Sequence, residues 1–171
     1  MGDAVGFRVR WWHAVLFWLA VNAYNFLSTD RVPFEGHVVS PLQPPPLAFP
    51  IIWFTITIVQ LWGDVRMVNR RHRIWDYDGL MALQIPTWLL YASFNWVYFG
   101  LGSPILALVW TVLFFVLTVL SIALVRRNDR AIAWSWAPEA LWTGYASVVA
   151  VHTVLLNRDP LFGTAALLPA P

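Results

Sequence analysis

Five long apolar segments leave this chain little choice of architecture. They run from about Trp11 to Leu27, Leu47 to Val65, Gly79 to Phe99, Ile105 to Val125 and Ala131 to Leu156. Each is close to the ~20 residues that a helix needs to cross a bilayer. In lipid a backbone must satisfy its own hydrogen bonds, which favours helices; a barrel would need short alternating segments instead. The expected fold class is all-α, an integral membrane bundle of five transmembrane helices forming a single domain over residues 1–171. Composition agrees. The chain is 59% hydrophobic and 12% charged, about half the charge of an ordinary soluble domain.

Charge placement predicts an orientation. Every basic residue is an arginine. With five spans, the N-terminal stretch shares a side with the second and fourth loops, and together these carry Arg8, Arg10, Arg66, Arg70, Arg71, Arg73, Arg126, Arg127 and Arg130. The opposite side has only Arg31 and Arg158. The positive-inside rule then places the N-terminus in the cytoplasm and the C-terminus across the membrane. Arg8 and Arg10 ahead of an apolar run also resemble a signal peptide, but Asn22, Tyr24 and Asn25 do not form a small-residue cleavage site, so the segment reads as an uncleaved first helix. A net charge of +2 argues for no nucleic-acid partner. The absence of cysteine excludes a disulfide, a thiolate metal site and a Cys nucleophile.

Twelve residues are tryptophan, and they divide by position. Trp11, Trp12, Trp75, Trp134 and Trp136 lie near segment ends, where an interfacial belt is expected. Others fall on helical stripes with polar neighbours, at the spacing that brings residues to one face. These stripes are Trp18, Asn22 and Asn25; Trp53, Thr57, Gln60 and Asp64; Gln84, Trp88, Tyr91, Asn95 and Tyr98; Thr111, Phe114 and Thr118; and Glu139, Trp142, Tyr145, Ala146 and Val149. Polar groups are costly against lipid, so the stripes are expected to face inward. They could serve only as interhelical hydrogen bonds and packed core. They could also line a cavity, because bulky rings on several inner faces hinder close packing, and rings with a few donors suit a flat apolar ligand.

The remaining chemistry is sparse. The first loop, residues 28–46, is the longest and reads either as a lid or as a connector. Four scattered histidines show no metal-ligand spacing. His152 could approach a haem iron or be a hydrogen-bonded histidine near a helix end. Glu139, the one acid in the fifth segment, lies near one end of it and could reach the membrane interface. Ala146 and Ala150 form a small-xxx-small pair that could mark close helix packing or a dimer contact.

The run Pro44-Pro45-Pro46-Leu47-Ala48-Phe49-Pro50-Ile51-Ile52-Trp53 resembles the proline and tryptophan signature of the TspO/MBR family, the tryptophan-rich sensory proteins and translocator proteins. Phe94-Asn95-Trp96-Val97-Tyr98 is similar to the family's third-helix Asn-Trp motif. Pro138-Glu139-Ala140-Leu141-Trp142, Tyr145-Ala146 and Leu156-Asn157 are similar to its fifth-helix stretch. The chain also departs from the pattern. Leu42 and Gln43 stand where a Trp is usual, Thr57 replaces a Tyr, Ala150 replaces an Asn, and the sterol motif of animal members has no counterpart after Tyr145.

The resemblance implies five membrane helices, a homodimer, and a ligand pocket beneath the first loop. It implies no required cofactor; porphyrin or haem would be a ligand. Carried over by position, the pocket would include Trp53, Asn95, Trp142 and Ala146, with Thr57 substituted. The stripes add Trp88, Tyr91 and Tyr145. The expected function is a membrane receptor or carrier for a porphyrin-like tetrapyrrole or another flat hydrophobic molecule. Trp53 and Trp142 would sandwich the ring, Asn95 would bond its edge, and the first loop would close over it. Two alternatives are light- or oxygen-dependent porphyrin degradation at the same tryptophans, and a structural or pigment-binding subunit of a larger membrane complex.

Overall fold

The computed structural model describes residues 8–27 and 37–168. Five helices account for most of them: α1 (Trp11–Leu27), α2 (Ala48–Asn69), α3 (Tyr77–Asn95), α4 (Pro104–Val125) and α5 (Arg130–Leu156). Among the described residues there is no strand, only an isolated bridge between Asp159 and Thr164. Of the five helices, α2, α4 and α5 are each long and apolar enough to cross a membrane unaided. α1 has only 17 residues, and α3 carries Asp78, Gln84, Thr87 and Asn95 along its length. The sequence predicts five transmembrane helices; among the described residues three are long and apolar enough to cross a membrane.

Local chemistry explains where the helices start. Ser103 caps α4 by accepting the Leu106 N–H at 3.1 Å, with Pro104 in the first turn, where a missing N–H costs nothing. Asp76 caps α3 by accepting the Gly79 N–H at 2.9 Å. A Cβ at position 79 would sit 2.3 Å from the Asp76 carboxylate, so another residue there would make the capping side chain shift. Asp129 caps α5 through the N–H groups of Ala131 and Ile132. α3 and α5 run through Pro86 and Pro138 without ending.

α5 is the organising helix, packing most extensively on α4 and next on α2. Gly63 permits the α2 contact: a Cβ there would lie 2.0 Å from Ser135 Oγ and 3.2 Å from Trp136 Nε1. α1 touches α2 and α3 much more lightly.

The arginine-rich segments meet at one end of the bundle. The Val9 backbone exchanges two hydrogen bonds with the Asn69 side chain, at 2.8 and 2.7 Å. Arg66 and Arg70 both reach Asp129, at 2.8 and 2.9 Å. The Trp75 N–H donates to Asn128. The N-terminal stretch, the α2–α3 loop and the α4–α5 loop thus share an end, as their common charge requires. Burial alone would raise the Asp129 pKa, but the hydrogen bond and charge of Arg66, with two backbone N–H groups, hold it below its ordinary value.

At the other end, the second part of the first loop lies against the end of α5. Val38 exchanges backbone hydrogen bonds with the Asn157 side chain, Ser40 pairs with His152 Nδ1 at 2.9 Å, and Tyr145 donates to the Leu42 carbonyl. His152 is thus hydrogen-bonded through Nδ1. Asp159 accepts from Ser103 Oγ at 2.6 Å and the Ile105 N–H at 2.9 Å, tying the segment after α5 to the start of α4.

Two expectations are corrected by burial. Trp75 and Trp134 are exposed, but Trp136 is fully buried, because its ring turns toward α2 rather than toward the interface. Glu139 is also fully buried. It faces α4, where Thr118 Oγ1 donates to it at 3.1 Å, and it does not reach the interface.

Candidate functional site

The inner ends of α2 to α5, beneath the described part of the first loop, enclose a cavity of about 430 Å³. The family-like proline run delivers its base: Pro44 and Pro46 line it, and α2 starts directly after them to present Phe49 and Trp53. α3 contributes Phe94 and Asn95 at its last turn. There the helix widens into a π turn over Trp96–Gly100, with the Leu101 N–H bonding the Trp96 carbonyl at 2.9 Å. Such widened turns recur at functional sites; this one sends Tyr98 and Phe99 into the same cavity. α4 adds Ala107 and Thr111, and α5 adds Trp142, Tyr145, Ala146, Val149 and Ala150.

Of the eight residues expected at the site, the cavity brings together Trp53, Asn95, Trp142, Tyr145 and Ala146. It does not include Thr57, Trp88 or Tyr91. Thr57 is 1% exposed and lies one turn deeper on α2. Tyr91 packs edge-on against Trp53 and Trp88, each at 5.4 Å, and donates to Asn22 at 3.4 Å, so it forms the wall behind Trp53. Trp88 turns the other way and donates its indole N–H to Asp64 at 3.0 Å. The Ala146 and Ala150 pair faces this cavity, where the absence of bulk makes room.

The aromatic geometry differs from the expected sandwich. Trp53 and Trp142 lie 6.4 Å apart with planes 88° to one another. Phe114 stacks on Trp53 at 5.9 Å, and Phe49 meets Trp142 edge-on at 5.7 Å. Two perpendicular rings form a corner: a flat molecule can lie on one face while its rim meets the other ring. Both arrangements are favourable for π systems.

The polar groups are few and separate. Asn95 makes no side-chain hydrogen bond among the described residues, leaving its amide available on the cavity wall. Gln43, Thr111 and Thr153 also line it, as does His37, whose pKa burial lowers against the nearby Asp159 charge. Phe94 and Tyr98 were visible within the Asn-Trp motif, and Thr111 within the α4 stripe. His37 and Gln43 come from an irregular loop with no periodicity to mark them. No group of three or more metal-ligating side chains occurs among the described residues.

Among the described residues the fold is all-helical, with three helices long and apolar enough to cross a membrane and an aromatic, lightly polar cavity at one end. The TspO/MBR family model matches residues 14–156, and the chain belongs to that family. None of the curated proteins compared with it matches the chain.

Proposed function

We propose that this protein is a membrane receptor or carrier that holds a flat hydrophobic molecule, of porphyrin-like tetrapyrrole type, in the cavity beneath the first loop. The observation that carries this reading is the convergence of Trp53, Asn95, Trp142 and Ala146 on one cavity. These residues come from three helices and three family-like motifs. The volume is within the ~300–1,000 Å³ usual for small-molecule sites. The ligand stacks on one wall of the Trp53–Trp142 corner, and the unpaired Asn95 amide bonds a polar edge. The loop from His37 to Pro46 closes the end, held by Asn157, His152 and Tyr145.

In this reading all five helices cross the bilayer. α1 and α3 are carried by their packing against the more apolar helices, and the arginine-rich end faces the cytoplasm. The first loop and the cavity mouth then face the opposite side.

The test is a titration of the purified protein with protoporphyrin IX, read as tryptophan fluorescence quenching. A saturable midpoint is expected. Trp53→Ala and Trp142→Ala should each shift it by roughly tenfold or more, as stacking contributes ~1–3 kcal/mol per ring. Midpoints unchanged in both variants would place the ligand elsewhere.

A further inference from the structure

A second cavity, of about 450 Å³, lies between α1, α2 and α3. It shares no lining residue with the aromatic cavity. Its walls are almost wholly apolar, formed by side chains such as Phe17, Val21, Leu61, Ile85 and Leu89. Three polar side chains of α2 and α3 stand out among them: Asp64, Gln84 and Trp88. Gln84 and Trp88 are one helical turn apart and so share a face of α3. Gln84 is 3% exposed, and among the described residues neither its amide oxygen nor its amide nitrogen has a hydrogen-bond partner. Leaving the hydrogen bonds of a buried amide unmade is costly, so a native protein rarely leaves one without a use.

Asp64 supplies the second observation. Its Oδ2 accepts from Trp88 Nε1 at 3.0 Å and its Oδ1 from Trp136 Nε1 at 2.9 Å. The two indoles fix the carboxyl group in orientation, yet each oxygen keeps a lone pair. The ion pairs of the described residues, Arg66 and Arg70 with Asp129, lie elsewhere. The lining includes no arginine, and its one other titratable group is His13, whose Nδ1 accepts the Arg10 N–H at 3.0 Å. The cavity therefore offers an oriented acid without a counter-charge, an unused amide, and an apolar trough leading away from both.

We infer that the α1–α2–α3 cavity is a second ligand site, built for an apolar molecule that carries a protonated amine. The ammonium donates to Asp64 and to the Gln84 amide oxygen, while the hydrocarbon part lies along Phe17, Leu61 and Leu89. A neutral alcohol of the same length fills the same trough but gains no ionic bond. A fatty acid is repelled by Asp64. The light packing of α1 gives the molecule a route in from the bilayer.

The experiment measures binding of isotopically labelled octylamine and 1-octanol to the full chain in phosphatidylcholine nanodiscs, corrected for empty discs. Saturable amine binding at least about tenfold tighter than alcohol binding is expected, as a charge-assisted bond requires. Equal affinities would overturn the inference and leave an ordinary lipid crevice. Asp64→Asn should weaken the amine by about tenfold or more and barely affect the alcohol. Gln84→Leu should weaken it severalfold, and Trp53→Ala should leave it unchanged. A folded Asp64→Asn protein, checked by circular dichroism, that still binds the amine fully would also overturn the inference. If that variant does not fold, Ala92→Phe decides: it fills the cavity from α3 and leaves Asp64, Trp88 and Trp136 themselves unchanged. Loss of amine binding supports the site, and retention sinks it.

Discussion

The two cavities are nearly equal in volume, about 430 and 450 Å³, but they are built by different means. The aromatic cavity sits where helix ends and a loop converge. Its polar groups are distributed around the wall, and the family-like motifs supply most of its chemistry. The α1–α2–α3 cavity sits where a loosely packed helix lies over two others. Its chemistry is concentrated on Asp64 and Gln84, outside the motifs quoted for the family. The contrast shows how one stripe can line two cavities: along α3 and the π turn after it, Gln84 and Trp88 line one, and Asn95 and Tyr98 the other. Tyr91 stands between them, touching both Trp53 and Trp88.

The α2–α5 contact holds Asp64 from behind through Trp136, so breaking it should have the largest effect. Trp136 is fully buried and donates to Asp64. Trp136→Ala should cost about 3–5 kcal/mol, as for other large-to-small changes at buried aromatics, and should lower the thermal midpoint in detergent markedly. Gly63→Ala should cost about 1–3 kcal/mol from overpacking against Ser135. Ser135→Gly in the same chain should recover part of that loss. If Gly63→Ala is neutral, α2 and α5 are not held as closely as the structure places them, and the Trp136 bond that orients Asp64 is in question.

These residues also show how far the sequence could be read. The helices were legible because apolar length is a local property, and the grouping of the loops was legible because nine arginines mark one end. The aromatic cavity was largely legible because its motif residues sit on inward stripes. Burial was not. Trp136 has a segment-end position like Trp134, but the two lie on nearly opposite sides of α5, and Trp136 is on the side that meets Asp64 of α2. Glu139 was misplaced for the same reason, since Thr118 on α4 receives it. Periodicity assigns residues to a face but does not say which neighbour that face meets. It therefore grouped Trp88 and Tyr91 with Trp53, and it is silent on how the planes of Trp53 and Trp142 are turned.

The carboxylates at the two ends give a milder test. Asp129 and Asp159 are both held below the ordinary carboxylate pKa. In each, burial raises the value but is outweighed: by Arg66 and backbone N–H groups at Asp129, and by Ser103 and backbone N–H groups at Asp159. A lowered pKa in the fold contributes stability that is fully present above the unfolded value, near 4, and is lost as pH falls through the folded value. The thermal midpoint should therefore be flat from neutral pH to about 5 and then fall by several degrees toward pH 3. Asp159→Asn should lower the midpoint at neutral pH and flatten part of the acid fall. Because Asp159 fastens the end that carries the first loop, porphyrin binding should weaken with it, while octylamine binding should not. Parallel loss of both ligands would mean that the two cavities are not independent.

The smallest expected effect is the most discriminating for the aromatic cavity. Asn95 has no side-chain bond within the described residues, so Asn95→Leu breaks nothing that holds the fold. Its thermal midpoint should stay within a degree or so of the parent. Its porphyrin midpoint should weaken by roughly threefold to tenfold, the value of one neutral hydrogen bond of ~0.5–1.5 kcal/mol, and Asn95→Gln should recover little because the longer amide enters the space of the ring. A folded Asn95→Leu protein with unaltered porphyrin binding would leave the Trp53–Trp142 corner as the sole recognition element. Selectivity among flat ligands would then rest on shape alone, and hydrophobic molecules without a polar edge should bind as well as a tetrapyrrole does.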